Sequence, residues 1–430
     1  MRNMIYNTVL WLLFPFLILH FVRGRFSYKK YTRPFSERFG VFRLSKRKTK
    51  RFTILIHAVS VGETVASQPF VDAIKKRYPN AEIIFSNVTE TGHERARDII
   101  PADFHIFFPL DYRSSVCRFL DQVDPQYVFI LETEIWPNFL SECQKRKIPV
   151  SFVNGRISDK SYERYSSFKW LFAPILKHPQ FFMQTQQDLD RVTKLGCTSA
   201  ELCGNLKYDQ LLFNLSSPAR SKMQSLFQDI DPPIVVYGST HQVETSWIIE
   251  MIRELHNKGR RIRHIIAPRH LNFLNDYQKQ AKLLGLKTSL RTEFSGEDFD
   301  LMFLDTYGEL ANLYEGATIC VIGGSFENIG GHSILEPALF SKPILYGPHI
   351  QNFREITQYF ETNGASNKVQ NIDELKQKLE LFLDNESLRL KIGQEAGTLV
   401  QTFTGATSKI IERIAPEIDS YKQNQKSDIK

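Results

Sequence analysis

The sequence predicts an α/β protein of two doubly wound domains behind an apolar and then basic amino terminus. Short apolar runs of strand length alternate with amphipathic stretches through most of the chain, the alternation breaks once near residue 214, and the first 51 residues follow neither pattern. At 430 residues, 42% hydrophobic and 24% charged, the chain is too long for one ordinary core and too apolar to be disordered. The expected division is an anchor with a basic segment at 1–51, a first domain at 52–215, a second at 216–415 and a polar tail at 416–430.

From Asn3 to Val22 there is no formal charge, and VLWLLFPFLILHFV approaches the roughly 20 residues that a spanning helix needs. RGRFSYKKYTR follows it, with no small-residue cleavage site, so the block reads as a retained anchor. About 18 mixed apolar and aromatic residues suit a spanning helix or one lying in the interface. Between Arg23 and Arg51 stand 12 Lys or Arg against one acid, Glu37. Removing that +11 and the charge of Arg2 from the chain's +8 leaves −4 from Phe52 onward. The basicity is thus juxtamembrane: it suits a cytoplasmic-side orientation and contact with anionic lipid head groups, and excludes the charge footprint of a nucleic-acid protein. Cys117, Cys143, Cys197, Cys203 and Cys320 show no CxxC spacing, which fits a reducing compartment.

TILIHAV, AEIIFSNV, FHIFFPL, QYVFILE, PVSFVNG and FFMQT read as strands, separated by stretches such as SQPFVDAIKKRYP whose apolar residues recur every three or four positions. That is β-α-β with a parallel sheet. NLSSPARSKMQ reads as a linker. PPIVVYGST, RIRHIIAPRH, DLMFLDT, TICVIGGSF and KPILYGPH then form a second series, and the segment from Ile372 reads as helices before a solvated tail, SYKQNQKSDIK. Nucleotide-sugar transferases share this plan with many binding proteins.

Ligands of open α/β sheets lie outside the carboxyl ends of the strands, so the residues there carry the chemistry. In SVGE, Gly62 allows a tight turn and Glu63 opens a helix, either as a dipole-favoured first-turn acid or as a reactive carboxylate. In FILETEIWP, Glu132 and Glu134 follow a buried strand and share a side while strand geometry lasts, with a helix cap as the other reading of Glu134. In IIAPRH, Arg269 and His270 follow a strand, and an arginine there can pair with phosphate. CVIGGSFENIGGHSILEP carries two glycine pairs, a helix start and Glu336. The glycines permit close approach of phosphate, the amides of Ser333 and Ile334 would point at it, and Glu336 could accept from ribose hydroxyls. No G-x-G-x-x-G occurs, and no cluster has metal-ligand spacing. DLD at Asp188 and DFD at Asp298 read as caps or turns, and His57 as a core histidine.

HAVSVGE, ETEIWPN, GNLKYD, PRH, YGELANLY and GGSFENIGGHSILEP, in that order, resemble the motif set of the bacterial Kdo (3-deoxy-D-manno-octulosonic acid) transferases over nearly the whole chain. The resemblance implies a GT-B fold and transfer of Kdo from CMP-Kdo to lipid IVA, a lipid A precursor of lipopolysaccharide, by an enzyme anchored in the bacterial inner membrane and facing the cytoplasm. Glu63 matches the family's general base; Glu132 and Lys207 match residues assigned to transition-state stabilisation. Pro268 and Arg269, Tyr307, Gly308 and Glu309, and Ser333, Ile334, Leu335 and Glu336 match its CMP-binding segments. Ser333 stands where the family usually has Asn, and Tyr307 where it often has Met, departures expected to alter affinity more than donor identity. A base with no second carboxylate nucleophile predicts inversion, by analogy with glycosidases, and no metal or other cofactor is expected. Two alternatives stand: a membrane-associated GT-B enzyme using a UDP-sugar, and an anchored carbohydrate-binding protein without activity. The number of Kdo residues added, the acyl pattern of the acceptor and the oligomeric state are not encoded in these motifs.

Overall fold

The computed structural model describes residues 4–16, 35–42, 44, 51–215 and 232–427. These fall into two compact units, Met1–Gln210 with Thr404–Lys430, and Leu211–Phe403.

In the first unit seven strands form one parallel sheet: β1 (Thr53–His57), β2 (Glu82–Asn87), β3 (Phe104–Phe107), β4 (Tyr127–Leu131), β5 (Val150–Gly155), β6 (Gln180–Met183) and β7 (Ala200–Leu202), in the spatial order β3-β2-β1-β4-β5-β6-β7. The central strands β1, β4 and β5 are buried along their whole length because helices cover both faces. Leu55, Ile84, Val128 and Ile130 enter one core cluster, while their alternating neighbours Ile54, Ile56, Ile83, Phe85 and Phe129 enter the other. Helix starts are set by side chains: the hydroxyls of Ser60, Thr89, Ser158 and Thr185 each accept a backbone N–H in the first turn that follows.

The second unit repeats the plan with β8 (Ile234–Thr240), β9 (Arg263–Pro268), β10 (Thr288–Leu290), β11 (Leu301–Phe303), β12 (Ile319–Ile322), β13 (Ile344–Tyr346) and β14 (Asn367–Lys368), in the order β10-β11-β9-β8-β12-β13-β14, again all parallel.

The carboxyl terminus departs from expectation. The second unit ends at Phe403 rather than at 415, and the segment from Thr404 returns to the first. The expected tail 416–430 is not a solvated tail, because helix Ala406–Ser427 runs through most of it. Ala406, Ile410, Ile414 and Ile418 recur every four residues and are fully buried against the first unit's second core cluster. Asp209 anchors its start, one carboxylate oxygen accepting from the Gly405 N–H and the other from the Thr407 N–H, both at 2.6 Å. Glu417 accepts from the Tyr127 hydroxyl at 2.9 Å. Most of the expected linker, from 216, lies outside the described residues.

Of the expected anchor, residues 4–16 are helical, and the rest up to Val22 lies outside the described residues. Among the described residues no helix is long and apolar enough to cross a membrane. One stripe of this helix is docked on the first unit. The Tyr6 hydroxyl donates to Asp111 at 2.9 Å, Asn7 and Asn138 exchange hydrogen bonds, Tyr112 donates to the Leu10 carbonyl, and Phe14 meets Tyr112 and Phe39 edge-on. Met4, Ile5, Val9, Leu12, Leu13 and Phe16 remain exposed.

Candidate active site

In each sheet the strand order reverses direction at one point, between β1 and β4 in the first unit and between β8 and β12 in the second. Crevices outside the carboxyl ends of strands at such points are where open α/β sheets bind ligands. Glu63, Glu132 and the segment Ser333 to Glu336 follow strands that flank these two points, whereas Lys207 follows β7, Arg269 follows β9, and Tyr307 to Glu309 follow β11.

In the first unit Glu63 belongs to the first turn of helix Val61–Arg77, after β1. One carboxylate oxygen accepts the Val59 N–H at 2.7 Å, the other the Ser60 hydroxyl at 2.9 Å, and the Glu63 N–H donates back to Ser60 Oγ at 3.3 Å. Glu63 is thus the first-turn acid of a helix capped by Ser60, and its carboxyl is nonetheless raised above its ordinary value by burial and by the charge of Glu132, against these hydrogen bonds. Glu132 follows β4 across the reversal point. Its φ is +55°, a left-handed conformation costly for a residue with a Cβ, and its N–H donates to the Val153 carbonyl at 2.9 Å. Strand geometry therefore ends at Leu131, and the expected same-side alternation of Glu132 and Glu134 does not hold. Nor does Glu134 cap a helix: the cap position before Pro137 is Trp136. Glu134 instead completes a carboxylate cluster, its carboxyl pushed up to about 7 by burial and by Glu63 and Glu132, with Arg164 opposing. Lys207 lies exposed in the first turn of helix Leu206–Leu215, its N–H bonded to Asn205 Oδ1. It too is at the carboxyl edge of this sheet, just beyond β7.

His57 is the core histidine expected: it is fully buried, stacked on Phe108 at 3.8 Å, bonded through Nδ1 to Ser86, and pushed down to about 3 by burial. Asp188 accepts from the Ile157 N–H and the Thr185 hydroxyl at a helix start, and Asp298 pairs with Arg263, so both acidic motifs act in local structure.

In the second unit Pro268 ends β9 buried, while Arg269 and His270 just beyond are exposed. The Arg269 N–H donates to the Thr240 carbonyl at 2.8 Å, tying the ends of β8 and β9 together. Tyr307 is 74% exposed beside Gly308, whose φ is +84°. Glu309 precedes helix Leu310–Gly316, accepting from the Thr306 hydroxyl at 2.6 Å and pairing with Arg291 at 3.4 Å. Ser333 and Ile334 are not helical as expected: the helix is short, Leu335–Leu339, with Ile334 at its cap position, and Ser333 Oγ accepts the Leu335 N–H. Ile334 and Leu335 are buried; burial also raises the Glu336 carboxyl above its ordinary value.

Three residues that the sequence did not single out organise this crevice. Glu244, fully buried in helix Gln242–Asn257, accepts the N–H groups of His241, Gly324 and Phe326, joining the end of β8 to the glycine loop after β12. Within that loop the Gly331 N–H donates to the Gly324 carbonyl at 2.7 Å. Gly324 has φ +65°, and a Cβ there would lie 2.9 Å from the His332 ring. His332 in turn meets His241, Nε2 to Nε2 at 3.2 Å with rings 13° from parallel, and His270 approaches the His241 ring edge-on. A signal was present: His241 directly follows a strand and stands three residues before a glutamate, the spacing of a helix cap.

Two α/β units of this kind, each with polar residues at its reversal point, are the architecture of GT-B glycosyltransferases. The UDP-GlcNAc 2-epimerase from Neisseria meningitidis shares the fold, with a TM-score of 0.57 at 15% identity over 85% of this chain and all of that one. A UDP-N-acetylglucosamine 2-epimerase from Listeria monocytogenes aligns with a TM-score of 0.52 at 14% identity over 86% of this chain and 98% of that one. Residues 33–210 match the family described as 3-deoxy-D-manno-octulosonic-acid transferase (kdotransferase). A 3-deoxy-D-manno-octulosonic acid transferase of Haemophilus influenzae is 30% identical over 433 residues, covering 97% of this chain and 99% of the relative, and one of Rickettsia felis is 31% identical over 87% of this chain and 78% of the relative. The chain belongs to the Kdo transferase family and is a glycosyltransferase.

Proposed function

We propose that the protein transfers Kdo from CMP-Kdo to lipid IVA with inversion at the anomeric carbon, in lipopolysaccharide synthesis. The observation that supports it best is the state of Glu63: a carboxylate at the reversal point whose proton affinity is raised by burial and by Glu132 is suited to take the acceptor hydroxyl's proton. Glu132 and Lys207, at the same edge, stabilise the oxocarbenium-like transition state. On the donor side Pro268 and Arg269, the turn Tyr307 to Glu309 and the segment Ser333 to Glu336 hold CMP. Arg269 supplies positive charge to the departing phosphate, so turnover proceeds without a divalent metal. The test is CMP release by the purified protein from CMP-Kdo and a tetraacyl lipid A precursor, in detergent with chelator, the lipid being weighed by mass spectrometry. Lipid heavier by Kdo units, matched by CMP, supports the reading; no acceptor-dependent CMP overturns it.

The same reading places the protein at the cytoplasmic face of the inner membrane. Helix 4–16, docked along one stripe and apolar along the other, lies in the interface rather than across it, next to a segment whose +11 charge attracts anionic lipid. Replacing both Leu12 and Phe16 by Gln removes two side chains worth about 1.5–3 kcal/mol each on burial, so affinity for anionic vesicles should fall by about two to four orders of magnitude. Turnover of a detergent-dispersed acceptor should not change. Unaltered vesicle flotation by this variant would reject the helix as the contact.

A further inference from the structure

We infer that the His241–His332 pair binds the donor's phosphate and takes up one proton as it does so. This rests on the CMP-binding assignment above and adds to it two residues outside the assigned segments.

The two rings come from opposite sides of the reversal point, His241 after β8 and His332 from the loop after β12. Their Nε2 atoms are 3.2 Å apart. That distance admits a single hydrogen between them, one nitrogen donating and the other accepting, because two imidazolium rings would each direct an N–H at the other. The pair can therefore be neutral, or carry one charge if an Nδ1 is also protonated, and it resists two.

Its surroundings select the neutral state. Burial disfavours positive charge most on both rings; the ring of His270 and then the guanidinium of Arg269, from the end of β9, add to this at His241, and His241 and then Arg269 add to it at His332. From the loop after β12 comes Glu327, the acid that favours charge on His241. Glu244, on the helix that follows β8, spends its oxygens on three backbone N–H groups and is itself weakly acidic. Burial first, then His241 and Arg269, bring His332 down to about 4. At neutral pH the crevice thus holds a fixed cation, Arg269, beside an uncharged but protonatable pair.

An anion entering this crevice reverses the balance, since a negative charge within about 4–6 Å favours the protonated ring. A sugar ester of a nucleoside monophosphate brings one negative charge as a diester. When the bond from the anomeric carbon to the phosphate oxygen breaks, both electrons of that bond stay on oxygen, and the nucleotide becomes a dianionic monoester. The proton taken from solvent on binding supplies the positive charge that matches the second negative charge. It leaves again when the nucleotide does. The acceptor's proton goes separately to Glu63.

Calorimetry of CMP binding to the full-length protein in detergent, repeated in buffers of different ionisation enthalpy, counts the protons. At about pH 8 a phosphate monoester with a second pKa near 6 is already dianionic and contributes none. The expected result is uptake of roughly one proton per CMP, with affinity weakening up to about tenfold per pH unit as pH rises. His332→Gln and His241→Gln keep a polar group near the Nε2 position but cannot titrate. Both should bind CMP more weakly near neutral pH, with proton uptake close to zero and a flat pH profile, while the thermal unfolding of each variant reports its folding. CMP binding without proton uptake by the wild type, or undiminished uptake by both folded variants, overturns the inference and leaves the donor assignment standing. Absence of CMP binding by the folded wild type overturns both.

Discussion

Glu63→Gln is expected to lower turnover of CMP-Kdo with a lipid A precursor on the order of 10³-fold, within the range for loss of a positioned base, while CMP affinity stays unchanged. The amide keeps the shape and a carbonyl oxygen for either the Val59 N–H or the Ser60 hydroxyl. Loss of the other contact costs roughly 0.5–1 kcal/mol of helix capping, too little to unfold the protein. A pH profile separates this role from a structural one. The base acts as carboxylate, so activity should rise with pH through the raised pKa of Glu63. Glu132→Gln removes one charge that raises that pKa, so in this variant the rising limb should move to lower pH, whatever happens to the plateau. A Glu63→Gln enzyme retaining more than a tenth of wild-type turnover is incompatible with Glu63 as the base.

Eleven of the fourteen strands were legible because a parallel sheet covered on both faces writes itself as near-continuous apolar runs, of which TILIHAV and CVIGG are examples; the edge strands β7, β10 and β14, two or three residues long, carry no such run. The last helix was legible only in its first half: its continuation past Pro416 was not, because the polar run there resembles a tail, and neither was its return to the first unit. What sets that return is a stripe of Ala406, Ile410, Ile414 and Ile418 that finds a core belonging to residues more than 200 positions earlier. Glu63 and Arg269 could be singled out because each follows a strand end, where open α/β sheets bind ligands, though their assigned roles came only with the ordered motif set. Glu132 was legible as a residue, but its left-handed backbone was not, since nothing local requires φ of +55° at a glutamate. His241 and His332 are 91 residues apart and unremarkable singly. Their relation exists only once the strand order places the ends of β8 and β12 side by side.

Glu244→Ala is expected to destabilise the second unit by on the order of 3 kcal/mol or more and to abolish CMP binding. Two buried N–H groups, of Gly324 and Phe326, and a part-buried one, of His241, lose their acceptor, and each buried loss costs about 1–3 kcal/mol. Because those groups set the loop that carries Gly331 and His332, the donor crevice is lost with them. Glu244→Gln tests the charge apart from the acceptor. Burial pushes the wild-type carboxyl up to about 7, whereas in the unfolded chain it titrates near 4.5. Below 4.5 both states hold the proton and the group's contribution is complete. Between 4.5 and 7 the folded state retains a proton that the unfolded state has released, so stability falls as pH rises, by about 3 kcal/mol in all. Gln holds no titrating proton and should remove that slope, at a constant cost from setting its amide N–H₂ against a backbone N–H. Of the four tryptophans only Trp247 lies in the second unit, so urea unfolding of protein in which the other three are Phe reports this unit alone. A Glu244→Gln protein whose stability still falls between pH 4.5 and 7 as steeply as the wild type would show that another group carries the slope.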